Sequence, residues 1–341
     1  MLFFFKKERK KYLEKIFAQL FDTLSLLYMT IVNRHHFVEI DRSTILYYFR
    51  QKYLENPQNF YFENFKIPKI RKEFLKSFKE YNLYQINFES PIFTPFPENN
   101  LFWGKYFKLK KKSRGTVIIL HGWRIKNYIF FEDAAKKFLD MGIESILVDL
   151  PYHLHRRPRF SYDGEYMISS NGIQTLQSIK QAIAETKILI DWLRKQNIKN
   201  IGVFGVSLGS WLSALLCGLI HPPLKFAILV SPPANPEKMF YKSRLANLLK
   251  NSQGKVERLF EKFKKVLKII NPLYLKPLID RENILVIESI YDMMVPKEIV
   301  EEFCEKWGLK NILRYKQGHL SVLFFEKNLF SDIEKFLKNV I

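Results

Sequence analysis

The chain has 341 residues, 47% hydrophobic and 26% charged, values that exclude global disorder and allow a sizeable core. Lys and Arg number 55 against 34 Asp and Glu, giving a formal net charge of +21. The two cysteines, Cys217 and Cys304, lack metal-ligand spacing, so the composition excludes a disulfide framework and fits a reducing, cytoplasmic setting.

The positive balance fits an anionic partner or a generally lysine-rich composition. The lysines are scattered rather than gathered into one aromatic-interleaved stripe, which argues against specific nucleic-acid binding. No segment reaches the ~20 apolar residues needed to span a bilayer. The nearest, "IFAQLFDTLSLLYMTIV", carries Gln19 and Asp22. Its basic lead-in contains Glu8 and Glu14, and "NRHHF" follows where a cleavage site would need small residues, so it reads as retained.

Residues 1 to about 80 read as a helical extension. Leu13, Ile16, Phe17, Leu20, Phe21, Leu24, Leu27, Tyr28 and Ile31 recur at helical spacing and form one apolar stripe. Two fates fit it. The helix packs on the main domain, or it lies peripherally in a membrane interface with Lys6, Lys7, Arg9, Lys10, Lys11 and Lys15 toward anionic headgroups. "ENPQN" reads as a turn and "KIPKIRKEF" as a further polar helix.

From 81 to 341 the pattern changes. "YNLYQINF" and "LFWGKYFKL" look like strands. After Gly115 short apolar strands alternate with helices: "TVIIL", "ESILVD", "IGVF", "FAILV", "ILVIES" and "NILRY" are the strands. Among the helices, one ends at Gly142 and a long one follows a cap at Ser170 or Asn171. This predicts an α/β fold, a mostly parallel sheet with helices on both faces. Residues 234 to 283 break the alternation and read as a helical cap insertion, with Val256, Leu259, Phe260, Phe263, Val266, Leu267 and Ile270 in one stripe.

"IGVFGVSLGS" sets Ser207 between Gly205 and Gly209, after a strand and before a helix. A serine hydroxyl is a weak nucleophile that needs exposure at a strand end and a neighbouring base. His319, in "RYKQGHLS", follows the last strand in a glycine-containing loop and is the base in the right order. Asp292, in "ILVIESIYDMMVP", lies between them just past a buried strand, with Asp163 and Glu288 as the alternatives for the acid. Oxyanion donors are expected from the Leu208 amide after the nucleophile and from the Trp123 amide in "TVIILHGW".

In "LHGW", "VDLPYHLHRRP", "GVSLG", "YDMMVP" and "GHLS", taken in order, the chain resembles the α/β-hydrolase superfamily over residues 80 to 341, and within it the abhydrolase-domain proteins. The resemblance implies an α/β-hydrolase fold and a cofactor-free serine hydrolase that cleaves a small-molecule or lipid ester. Amidase, peptidase or acyltransferase chemistry with the same three residues, or a binding protein on a hydrolase scaffold, are the alternatives. Many relatives carry Pro-Gly-His-Gly where this chain has Pro151, Tyr152, His153, Leu154, His155, Arg156 and Arg157. His153 and His155 alternate as metal ligands can, yet no carboxylate or cysteine stands nearby at ligand spacing. Arg124, His153, His155, Arg156 and Arg157 are instead candidates for a basic pocket wall facing an anionic substrate, or for a solvated loop. Tyr152, Phe160, Tyr162 and Tyr166 offer aromatic surface to an acyl or aryl group or to the core. In the cap, Phe240, Tyr241, Leu245, Leu248 and Leu249 line a pocket or form the cap's own core.

Overall fold

The computed structural model describes residues 2–32, 50–62, 67–249, 261 and 264–341, and side chains from Tyr12 onward. Among these residues nine strands form one sheet in the order β1-β2-β3-β5-β4-β6-β7-β8-β9. They are β1 (Arg71–Ser77), β2 (Tyr81–Glu89), β3 (Leu101–Leu109), β4 (Gly115–Leu120), β5 (Ile143–Val148), β6 (Ile201–Val206), β7 (Phe226–Val230), β8 (Ile284–Ser289) and β9 (Ile312–Tyr315). From β5 to β9 neighbouring strands run parallel, while β1, β2 and β3 join antiparallel at one side.

The central strands β4 to β8 are buried on both faces, so nearly every residue in them is apolar. Val117 and Ile119 of β4 face one core with Phe204 of β6, under α4 (Ile129–Asp140) and α10 (Leu329–Lys338). Ile118 and Leu120 face the other, under α5 (Gly172–Lys195), α6 (Leu208–Leu219) and α8 (Lys297–Trp307). Asn171 is the cap of α5, accepting from the Ile173 amide at 3.1 Å.

The amino-terminal 80 residues are not all helical. α1 (Leu2–Ile31), α2 (Gln51–Glu55) and α3 (Pro57–Phe62) are helices, but the stretch read as a polar helix contains β1. Every residue of β1 is exposed, so neither helical nor strand periodicity could be read from it. What makes it a strand is the β2 edge, whose backbone it pairs from Arg71 to Ser77. Its Lys and Arg side chains suit an outermost strand. The expected turn at 55–59 shrinks to Asn56, with Pro57 opening α3. Tyr53, Phe60 and Tyr61 of these short helices are fully buried in the sheet's core, and the Tyr61 hydroxyl donates to the Ile269 carbonyl at 3.0 Å.

α1 presents an unexpected face inward. Ala18 and Asp22 are buried, while Leu13, Ile16, Phe17, Leu20, Leu24, Leu27, Tyr28 and Ile31 of the apolar stripe are exposed. Phe17 packs edge-on and Phe21 at a tilt against Phe325, with ring centroids 5.4 and 4.8 Å away, in α9 (Ser321–Phe325).

The described residues of the insertion hold α7 (Pro236–Lys242) and short 3-10 turns at Arg244–Leu248 and Lys268–Ile270, joined by irregular segments. Of its expected stripe, Val266, Leu267 and Ile270 are buried. Val256, Leu259, Phe260 and Phe263 lie outside the described residues.

Candidate active site

β6 carries the chain to Ser207 and α6 starts at the next residue, so the direction must reverse within one residue. Ser207 accomplishes this at φ 53° and ψ −115°, a conformation costly for a side chain-bearing residue. Small neighbours make it possible. A Cβ on Gly205 would stand 2.4 Å from the Gly209 carbonyl oxygen, and one on Gly209 would stand 1.9 Å from that of Leu120. The Ser207 amide is held by the Val230 carbonyl at 2.9 Å.

His319 follows β9 and Asp292 follows β8, both buried. His319 Nδ1 lies 2.7 Å from Asp292 Oδ2. The other carboxylate oxygen, Oδ1, accepts the Met294 and Val295 amides at 2.8 Å each, which fixes the plane of the acid. Burial alone would lower the His319 pKa. The Asp292 charge and hydrogen bond, joined by the Asp22 charge, outweigh it and hold the imidazole above its ordinary value. The two alternative acids are engaged elsewhere: Asp163 accepts the Leu154 amide at 2.7 Å and Glu288 pairs with Arg314 at 2.9 Å.

Ser207 borders two cavities. The first, about 150 Å³, is lined by Trp211, Met239, Phe240, Leu267, Ile270 and Val295 among others, and carries no charged residue among its described walls. Leu245 and Leu249 of the cap also line it, whereas Tyr241 is exposed and Leu248 is buried outside that wall. The second, about 310 Å³, contains His319, Lys126, Phe130 and Phe324, with Met29 of α1 at its edge. Trp123 belongs to both, and Leu208 to the first. A Cβ on Gly122 would come 3.8 Å from Ser207 Cβ, so the loop after β4 runs directly beside the serine.

The fold is similar to that of acetyl xylan esterase from Paenibacillus sp. R4, with a TM-score of 0.63 over 90% of this chain and 97% of that one at 14% identity. The chain has the α/β-hydrolase fold. Acetyl xylan esterase 1 from Thermoanaerobacterium sp. JW/SL YS485 is similar too, with a TM-score of 0.60, 14% identity and coverage of 88% of this chain and 99% of that chain. So is Pyrococcus furiosus esterase Pf2001, at 0.51, 19%, 79% and 98%. A family described as alpha/beta hydrolase domain containing 18 matches residues 108–236. No curated protein matches the chain significantly.

In this α/β-hydrolase fold the "HLHRRP" loop lines neither of the two cavities beside Ser207. Arg156 is fully buried and donates two 2.7 Å hydrogen bonds to Glu185, with further ones to the Asp149 and Asn99 carbonyls. His153 is fully buried as well; its Nε2 accepts the Arg124 amide at 3.1 Å, and burial pushes its pKa well down, keeping it neutral. His155 stacks on Trp103 at 4.7 Å and pairs with Asp149 at 2.9 Å. Arg157 donates to the Ser161 carbonyl at 2.7 Å, and the Arg124 guanidinium covers the Tyr162 ring while donating to Met29 O at 3.1 Å. None of the five lines either described cavity. The loop is held by bonds to the protein itself: the buried Arg156 is anchored through both Nη atoms while its Nε has no partner among the described residues, and the half-exposed His155 and Arg157 bond to Asp149 and to the Ser161 carbonyl. Tyr152, Tyr162 and Tyr166 pack in or against this loop, and Phe160 points to solvent. Among the described residues no group of three or more His, Cys, Asp or Glu is placed to hold a metal.

Sequence reasoning missed Asp22. It lies in α1, 271 and 297 residues from its partners in the two loops it touches, and its one local signal is a carboxylate inside an apolar helix.

Proposed function

We propose that the protein is a serine hydrolase cleaving a carboxylic ester through an acyl-enzyme on Ser207. The observation that carries this is the buried 2.7 Å His319–Asp292 contact on the wall of a cavity shared with a strained serine. His319 takes the Ser207 proton as the hydroxyl attacks the carbonyl carbon. Asp292 holds the imidazole in the tautomer with its proton on Nδ1 and stabilises the cation that forms. The Leu208 and Trp123 amides receive the oxyanion, Leu208 with the added field of the α6 amino terminus. His319 then protonates the leaving alcohol, and water repeats the sequence to release the acid.

The uncharged first cavity suits an apolar acyl group, and the second, with Lys126 on its wall, suits the alcohol, so any negative charge on the ester would belong to the alcohol side. Solved neighbours named as esterases support an ester substrate. A fluorophosphonate probe should label the wild type and leave Ser207→Ala unlabelled. Hydrolysis of p-nitrophenyl esters should favour acyl chains longer than acetate. A folded wild-type protein that neither labels nor hydrolyses would remove the enzymatic reading in favour of a binding role.

The outward line of α1 supports a second surface role. Leu13, Ile16, Leu20, Leu24, Leu27 and Ile31 stand exposed on a helix about 45 Å long, Ile31 at 74%. The net charge of +21 and the lysine-rich start of the same helix match this face to an anionic bilayer surface. Leu20→Glu combined with Leu24→Glu should abolish sedimentation with phosphatidylserine vesicles while hydrolysis of a soluble ester continues. Unchanged sedimentation, or a wild-type dimer that the double substitution dissociates, would count against the membrane. Among the described residues no helix is long and apolar enough to cross one.

A further inference from the structure

An aspartate in the middle of a helix finds no free amide on its own helix, because interior N–H groups are already bonded four residues back. Buried, it needs donors from elsewhere. Asp22 is fully buried and has three. Its Oδ2 accepts the Met293 amide at 3.0 Å and the His319 amide at 2.8 Å, and its Oδ1 accepts the Leu320 amide at 3.0 Å. Met293 is the residue after Asp292, and His319 is the candidate base itself. One carboxylate from the amino-terminal helix thus ties together the two loops that carry the acid and the histidine.

The neighbouring residues are shaped for this contact. Ala18, one turn earlier, is small enough for the helix backbone to reach the histidine loop. A Cβ on Gly318 would meet the Ala18 carbonyl oxygen at 2.4 Å and Asp22 Oδ2 at 2.8 Å. Thr23 reaches the Met293 sulfur at 3.5 Å, and Phe17 and Phe21 close on Phe325 beyond the histidine.

We propose that Asp22 is a positioning residue of the active site, one that fixes His319 against Asp292 and makes α1 an integral part of the hydrolase. The proposal rests on the serine-hydrolase reading above. Among the described residues Asp22 and Asp292 are the charged groups that act on His319, and both favour its imidazolium, while Lys126 stands on the wall of the same cavity. Burial raises the Asp22 pKa and the Asp292 charge adds to that, while the His319 charge and the His319 and Leu320 amides pull it back.

The test is Asp22→Asn, which keeps the shape and removes the charge and one acceptor. With p-nitrophenyl esters its kcat should fall about 10- to 100-fold with KM nearly unchanged, because a small misplacement of the base costs rate rather than binding. The acid limb of kcat/KM should move to lower pH. Removing a negative charge beside the imidazole destabilises its protonated form and lowers its pKa. Titration of the His319 ring by NMR should show the same downward shift, and Asp22→Glu should restore the titration though not the full rate. A merely structural aspartate would leave the folded variants' pH limb and ring titration where they were, and that result would overturn the proposal. Gly318→Ala is a second route that displaces α1 while retaining the Asp22 charge, and it should lower kcat by a similar factor; full activity there would also refute the proposal. Should the wild type prove inert toward esters and fluorophosphonate, the hydrolase reading falls, while the ring titration still decides whether Asp22 governs His319.

Discussion

Asp292→Asn should lower kcat/KM about 10⁴-fold in a protein that still folds. The size follows from the hydrogen bonds on the two carboxylate oxygens. Oδ1 accepts two amides, from Met294 and Val295, and Oδ2 faces His319 Nδ1. An asparagine here must keep its carbonyl oxygen toward the two amides, since an NH₂ group there would oppose two donors. Its NH₂ then points at Nδ1 and forces that nitrogen to accept. The imidazole proton moves to Nε2, the nitrogen needed to take the proton from Ser207, and the base is lost without any change of shape. Steady-state kinetics measure the rate, and the ¹⁵N shifts of the His319 ring report the tautomer. A normal rate, or a ring still protonated on Nδ1, would take the acid's role from Asp292.

Glu185→Ala should cost about 3–5 kcal/mol of folding free energy, the penalty of stranding a buried charge. Arg156 is fully buried and its fork is matched by both oxygens of Glu185 at 2.7 Å, with Gln181 bonding the same carboxylate at 3.0 Å. Without Glu185 the guanidinium keeps only backbone carbonyls, which cannot neutralise it. The midpoint of urea unfolding measures the loss. Replacing both partners with apolar residues, Arg156→Met and Glu185→Leu, should recover part of it, because no charge then remains buried. The remainder reflects the Asp149 carbonyl left without its donor at 3.1 Å. If Glu185→Ala unfolds at the wild-type midpoint, the loop is not held as described and Arg156 regains its place as a candidate ligand for substrate.

What could be read from the amino acids alone is what local chemistry encodes. Strand, tight turn and helix around Ser207 follow from an apolar run, two glycines and a second apolar run, all within about twenty residues. The order of the candidate serine and acid follows because each comes just past a strand whose burial leaves a continuous hydrophobic signal, whereas the candidate histidine follows the half-exposed edge strand β9 and is placed by its order and its glycine-containing loop. What tertiary structure decided was which surface meets which. The α1 pattern announces an amphipathic helix, but periodicity gives a face and not its partner, and here the face toward the protein is the one with Ala18 and Asp22. β1 has no buried side, so its conformation comes from the free edge of β2. The charged residues of "HLHRRP" look the same in sequence whether they meet a ligand or each other. Burial beside Glu185 and Asp149 commits Arg156 to the protein interior, because a charge out of water must find its partners there. Asp22 illustrates the same limit at the site itself. Its three donors come from two loops that lie 271 and 297 to 298 residues further along the chain, and only folding brings them to one carboxylate.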